Sequence, residues 1–161
     1  MTMQKAEPTQ EHRWLEQLVG EWAVRNDAPA PGQEETAEWS ETVRSLDGIW
    51  FVSEGSGDMP GCGPIQTLLT LGYDPQKKRY VGTWIGSMMT YLWVYEGTLD
   101  ETGKVLTLDC IGPDFERPGE TARYQDIVTI IDRDNRKFTA RLQKPDGSWS
   151  EMMSAHYRRK A

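Results

Sequence analysis

Glu54, Asp109 and Arg123 are residues of the types that do chemistry. A carboxylate can take a proton as general base, and a guanidinium can steady the negative charge that develops on a substrate. Arg123 follows a long Pro/Gly connection, which predicts a place near a rim, where it would hold a ligand carboxylate or pair with Glu54 or Asp109. Glu41 and Asp126 also fall in strand-like runs, and alternation assigns all five charged positions to a wet exterior. No nucleophile–histidine–acid constellation accompanies them, because His12 falls in an N-terminal helical segment and His156 late in the last run. Cys62 and Cys110 have neither metal-ligand spacing nor the density of a disulfide scaffold, so both read as reduced thiols. With two histidines in the chain, no metal and no cofactor is expected.

A second set of candidates is aromatic. Tyr80, Gly82, Trp84 and Gly86 share one face of a strand, and Tyr91, Trp93, Tyr95 and Gly97 share one face of the next. Large and small residues alternate there, which fits a packed barrel interior. It fits equally an apolar cavity lined by Trp84 and Trp93 beneath Met88 and Met89, with Trp39 at the same height, because methionine adapts to irregular partners.

The elements that position these residues follow from the turns. A chain of 161 residues is one domain, 1–161. From Trp22 it reads as about ten runs rich in Val, Ile, Thr, Trp and Tyr, at 20–26, 35–46, 49–56, 65–73, 79–86, 90–98, 104–111, 122–132, 136–144 and 148–158. Asp47-Gly48, Asp74-Pro75, Asp100–Gly103 and Asp132–Asn135 are tight links, which force antiparallel neighbours. A meander of this many strands removes its edges by closing. The predicted fold is therefore all-β, a single antiparallel up-and-down barrel.

In a meander alternate connections lie at one end. The long ones, Asn26–Glu34, Gly57–Pro64 and Gly112–Thr121, collect at the end that also holds Gly86–Met89 and Pro145–Gly147, and that end is the predicted mouth. A short helix over residues 10–19, with Trp14, Leu15, Leu18 and Val19 on one stripe, plugs the other end. Thr9 caps it, but with His12 three residues on no capping box is expected, and His12 reads as solvated. Strand ten should close on strand one, with Arg159, or failing that Arg158, over the Trp22 ring.

The segment Leu18-Val19-Gly20-Glu21-Trp22, a helix running into Gly-x-Trp, resembles the opening of lipocalin-like (calycin) barrels. The set Leu71-Gly72-Tyr73-Asp74-Pro75, Tyr80-Val81-Gly82-Thr83-Trp84-Ile85, Gly97-Thr98 and Tyr157-Arg158-Arg159 resembles a bacterial domain-of-unknown-function family across nearly the whole chain. That resemblance implies a lipocalin-like barrel with no established activity. The family pattern has Asp after Thr-Trp-Ile and an acidic residue near the last block, where this chain has Gly86 and Ser154-Ala155. Both departures imply binding in place of catalysis. Some calycin-like barrels hold haem iron through a late-strand histidine, but His156 is expected roughly 20 Å below the mouth, deep for a ligand entering there.

Net charge −7 repels phosphate backbones and anionic headgroups, so neither nucleic acid nor membrane is an expected partner. No apolar run suits a signal peptide or a bilayer span, so a cytoplasmic protein is expected. The expected function is binding of a small, mostly apolar molecule in the lumen, through Trp39, Glu54, Trp84, Met88, Met89, Trp93 and Arg123. One alternative is an enzyme using Glu54 or Asp109 with Arg123. The other is a structural or homodimeric protein that associates through an apolar strand face.

Overall fold

The structure, a computed structural model, describes residues 2–27 and 39–161. One helix, α1 (Gln10–Glu16), precedes ten strands: β1 (Gly20–Asn26), β2 (Trp39–Leu46), β3 (Trp50–Met59), β4 (Gly63–Asp74), β5 (Arg79–Gly86), β6 (Trp93–Leu99), β7 (Val105–Pro113), β8 (Thr121–Asp132), β9 (Asn135–Gln143) and β10 (Trp149–Arg159). Every strand pairs with its sequence neighbours, and β1 pairs with β10, giving a closed antiparallel barrel. The expected meander and its closure are both present. Among the described residues no helix is long and apolar enough to cross a membrane.

The closing seam is built around Trp22. It pairs with Arg159 in register, and the Arg159 guanidinium lies 4.3 Å from the Trp22 ring centroid. Arg159 also donates to the carbonyls of Val19, at 2.6 Å, and Gln17, at 3.0 Å. The last strand is thereby tied to the segment that leads from α1 into β1. Trp22 is fully buried and donates from Nε1 to the Leu18 carbonyl at 2.9 Å, so its one polar atom is satisfied inside the core.

The helix covers the tight-turn end, as its apolar stripe requires. Leu15 and Leu18 are buried with Phe51, Leu71, Tyr80 and Leu106, while Trp14 donates to the Gly103 carbonyl at 2.7 Å. Two expectations fail here. The capping box is complete, because His12 Nδ1 accepts from the Thr9 backbone N–H at 3.0 Å, doing with an imidazole nitrogen what Glu or Gln does elsewhere. His12 is also buried, its ring edge-on to Tyr73 at 6.0 Å.

At the other end, the connection expected over Gly57–Pro64 is a short hairpin. Pairing continues to Met59↔Gly63, and the turn closes with Cys62 N–H on the Met59 carbonyl at 2.9 Å. Glycines and Pro64, the second residue of β4, suggest a loop, yet a ribbon that overhangs the barrel tolerates both. The connection after β7 is long, as expected, spanning residues 114–120. The connection expected over Asn26–Glu34, and the part of the second run before Trp39, lie mostly outside the described residues.

Removing the seam ring is expected to be costly. Trp22→Ala should lose about 3–5 kcal/mol in urea unfolding, and Arg159→Ala about 1–3 kcal/mol through the lost stacking and carbonyl bonds. A Trp22→Ala protein unfolding with the wild type would mean that the seam contributes no stability.

Candidate functional site

Closure fixes which residues face inward, and among the described strand residues two of them are the carboxylates Glu41 and Asp126. Glu41 lies on β2 between inward Trp39 and Val43, and Asp126 lies on β8 between inward Tyr124 and Val128. Both were expected on the exterior. Their neighbours two residues away on either side are apolar and inward, so strand period puts the carboxylates inside as well.

A carboxylate removed from bulk water needs donors, and the barrel supplies them. Glu41 accepts from Tyr157 OH at 2.7 Å, Trp39 Nε1 at 3.1 Å and Ser53 Oγ at 3.2 Å. Asp126 accepts from Tyr95 OH at 2.5 Å. Burial pushes the Asp126 carboxyl up to about 6, opposed by the Tyr95 hydrogen bond. Burial also holds the phenols of Tyr95 and Tyr157 well above the usual tyrosine range, reinforced by Asp126 and Glu41 respectively. The result is a polar floor across the middle of the barrel, made of two tyrosine–carboxylate pairs.

Above the floor, three rings sit over glycines. A Cβ on Gly55 would come within 2.9 Å of the Trp39 ring, and one on Gly86 within 2.7 Å of Trp84. On Gly112 it would run into the Trp93 ring. Trp93 donates from Nε1 to Met89 Sδ at 3.1 Å and stacks edge-on with Tyr91 and Tyr124 at 4.9 and 5.0 Å. Trp39, Trp84, Met88 and Met89 are half-buried at this end, and Trp93 is buried. Glu41, Leu69, Trp84, Asp126 and Ala140 face inward yet keep part of their surface accessible, whereas Leu106, Leu108 and Ala155 on the same wall keep almost none.

The sequence family described as "Protein of unknown function (DUF1579)" matches residues 7–159. The chain belongs to that family. Among solved structures the barrel is similar to the crystal structure of Rv2717c from M. tuberculosis, with TM-score 0.60 and 14% identity over 96% of this chain and 100% of that one. Such a likeness concerns the fold alone. No curated protein matches the sequence.

This DUF1579 barrel separates the expected site residues into two groups. Trp84, Met88, Met89 and Trp93 come together at the mouth end, and Trp39 lies over Gly55 at that end. Glu54, Asp109 and Arg123 do not join them, because each is flanked by inward residues and so points outward. Glu54 is exposed and pairs with Arg44 at 3.8 Å, and Asp109 accepts from Gln125 Nε2 at 2.8 Å. Arg123 is exposed beside a shallow cleft of about 300 Å³ that Arg117 and Lys144 also line. These three therefore form no mouth carboxylate–arginine set. His156 is likewise turned out, between inward Ala155 and Tyr157, with Nε2 3.0 Å from Asn135 Oδ1, so it cannot offer a lumenal ligand atom. Both cysteines are free; burial pushes the Cys110 thiol up to about 12, far from a reactive thiolate.

The Asp126 carboxyl gives a pH prediction. Its folded pKa, about 6, exceeds the ordinary value of 3.8, so the folded state binds the proton more tightly than the unfolded chain does. Its contribution is complete below about pH 4 and is lost as pH rises through about 6, a change of up to about 3 kcal/mol. Asp126→Asn should therefore stabilise the protein near neutral pH and flatten this window. Urea midpoints measured across the range would contradict the assignment if the two proteins ran parallel.

Proposed function

We propose that this protein binds a small, mostly apolar molecule in the upper half of the barrel, in the manner of calycin-like carriers and within the cytoplasm. The reading rests chiefly on one observation: inward side chains between the mouth rings and the polar floor remain accessible in a closed barrel. The rings of Trp39, Trp84 and Trp93, with Met88 and Met89, would cover the apolar body. Glu41 and Asp126 would face its inner end and select a hydrogen-bond donor, such as an amine or hydroxyl, over an anion.

The test uses 1-aminoanthracene, whose fluorescence rises in apolar surroundings, against 1-anthroate of the same shape. The amine should bind and the acid should bind at least about tenfold more weakly. Met88→Ala and Met89→Ala should change affinity with about 1 kcal/mol or less of stability lost, and Ala140→Phe should block binding. Unchanged affinity in Ala140→Phe would place the probe outside the barrel.

A second reading, self-association, draws on the outer wall. Ile85, Val94 and Ile111 on neighbouring strands β5 to β7, with Leu92 just before β6, are about half exposed or more, an apolar patch on the solvent side. Sedimentation equilibrium should then show a dimer that Val94→Glu dissociates, and a monomer at all concentrations would remove this reading.

A further inference from the structure

The base of the barrel, beside the C-terminal end of α1, holds a cleft of about 790 Å³. Its walls are partly apolar, from Val19, Trp22 and Ile130, with Lys104 and Arg133 exposed at the edge and Arg136 and Arg159 further in. In a chain of net charge −7 this is a local excess of cations, since Glu16 and Asp132 are the acids that line it.

Arg136 is the unusual member. It is 6% exposed, its Nε–H has no hydrogen-bond partner, and no ion pair among the described residues includes it. Its guanidinium stacks on two rings, 4.6 Å from the Trp22 centroid and 4.2 Å from that of Tyr157. Stacking covers the faces of the group and fixes its plane, but it leaves the N–H edge unsatisfied. A buried cation without a hydrogen-bonded counter-ion is among the most costly groups in a protein interior. Arg159, on the same Trp22 ring, shows the contrast: it donates to the carbonyls of Val19, Gln17 and Arg133 and pairs with Asp134 at 3.3 Å.

We infer that the basal cleft is a second binding site, which takes an oxyanion on a partly apolar body, a carboxylate or a phosphate, with Arg136 as its principal ligand. The planar donor edge matches two oxygens of either group. Lys104 and Arg133 stand at the edge as exposed cations that raise the local concentration of anions. Val19, Ile130 and Ile131, which keep accessible surface, receive the apolar part. The site lies at the end opposite the ring-lined mouth and does not depend on it.

The test follows the Arg136 Nε–Hε signal of the full chain by NMR, during titration with hexanoate or inorganic phosphate against chloride at equal ionic strength. A saturable shift with either oxyanion and none with chloride is expected. Hexanoate alone would identify a carboxylate site, phosphate alone a phosphate site, and no shift with either would overturn the inference. By calorimetry, Arg136→Met should weaken the responding anion about tenfold or more. If that variant fails to fold, Lys104→Ala and Arg133→Ala, both at exposed positions, should each weaken it severalfold. Unchanged affinity in Arg136→Met, or in both edge variants, would refute the site.

Discussion

Trp22 between two guanidinium groups is the contact on which the barrel depends. Arg159 lies on it at 4.3 Å and Arg136 at 4.6 Å. A barrel has to bring the two ends of its chain together, and the entropic cost of that long loop is met only by contacts formed at the seam. Here the seam joins an aromatic ring on β1, a cation on β10 and the carbonyls of Gln17 and Val19, so closure and docking of the helix are one event. If β10 were released, β1 and β10 would each expose an unpaired edge, and the helix would lose the arginine that holds its exit.

Closure has a chemical consequence for the interior. Once β1 and β10 pair, the inward face of every strand is set by a period of two, and a slip of one residue would expose the whole core. Glu41 and Asp126 lie on inward faces, and the barrel keeps them by placing Tyr157, Ser53, Trp39 and Tyr95 where their donors reach. Trp39 and Ser53 are local to β2 and its hairpin partner β3, but Tyr157 on β10 reaches Glu41 only across the β1–β10 seam. The arrangement therefore exists only in the closed barrel, and it couples the polar floor to the seam through Tyr157, which both donates to Glu41 and stacks on Arg136.

The architecture was legible because its signals are local. Asp-led turns between β-branched runs dictated antiparallel neighbours, ten such runs dictated closure, and the match of Trp22 with Arg159 followed from counting ends. The site was legible only in part. Trp84 and Trp93 could be assigned inward because large and small residues alternate around them, and Trp39 was placed with them by its height, whereas Glu54, Asp109 and Arg123 were judged by chemical type. Parity decides such cases: Glu41 has Trp39 and Val43 two residues away, while Glu54 stands between Ser53 and the glycine that seats Trp39. His12 failed for a different reason, since capping by an imidazole depends on its tautomer and on Tyr73, neither of which the sequence displays.

The two ends of the barrel are chemically opposed. Below the mouth the inward polar groups are carboxylates, so a negative charge entering there meets like charge in a partly desolvated space. At the base Arg136 is stacked with its Nε–H unpartnered, and the buried hydroxyl of Tyr80, whose ring meets Trp14 of α1, also lacks a partner. The two sets are near enough to interact, since Glu41 favours the charged form of Arg136 while burial disfavours it. Tyr157 stands between them, with its hydroxyl on Glu41 and its ring against Arg136. A change of charge at either end therefore acts on a residue shared with the other.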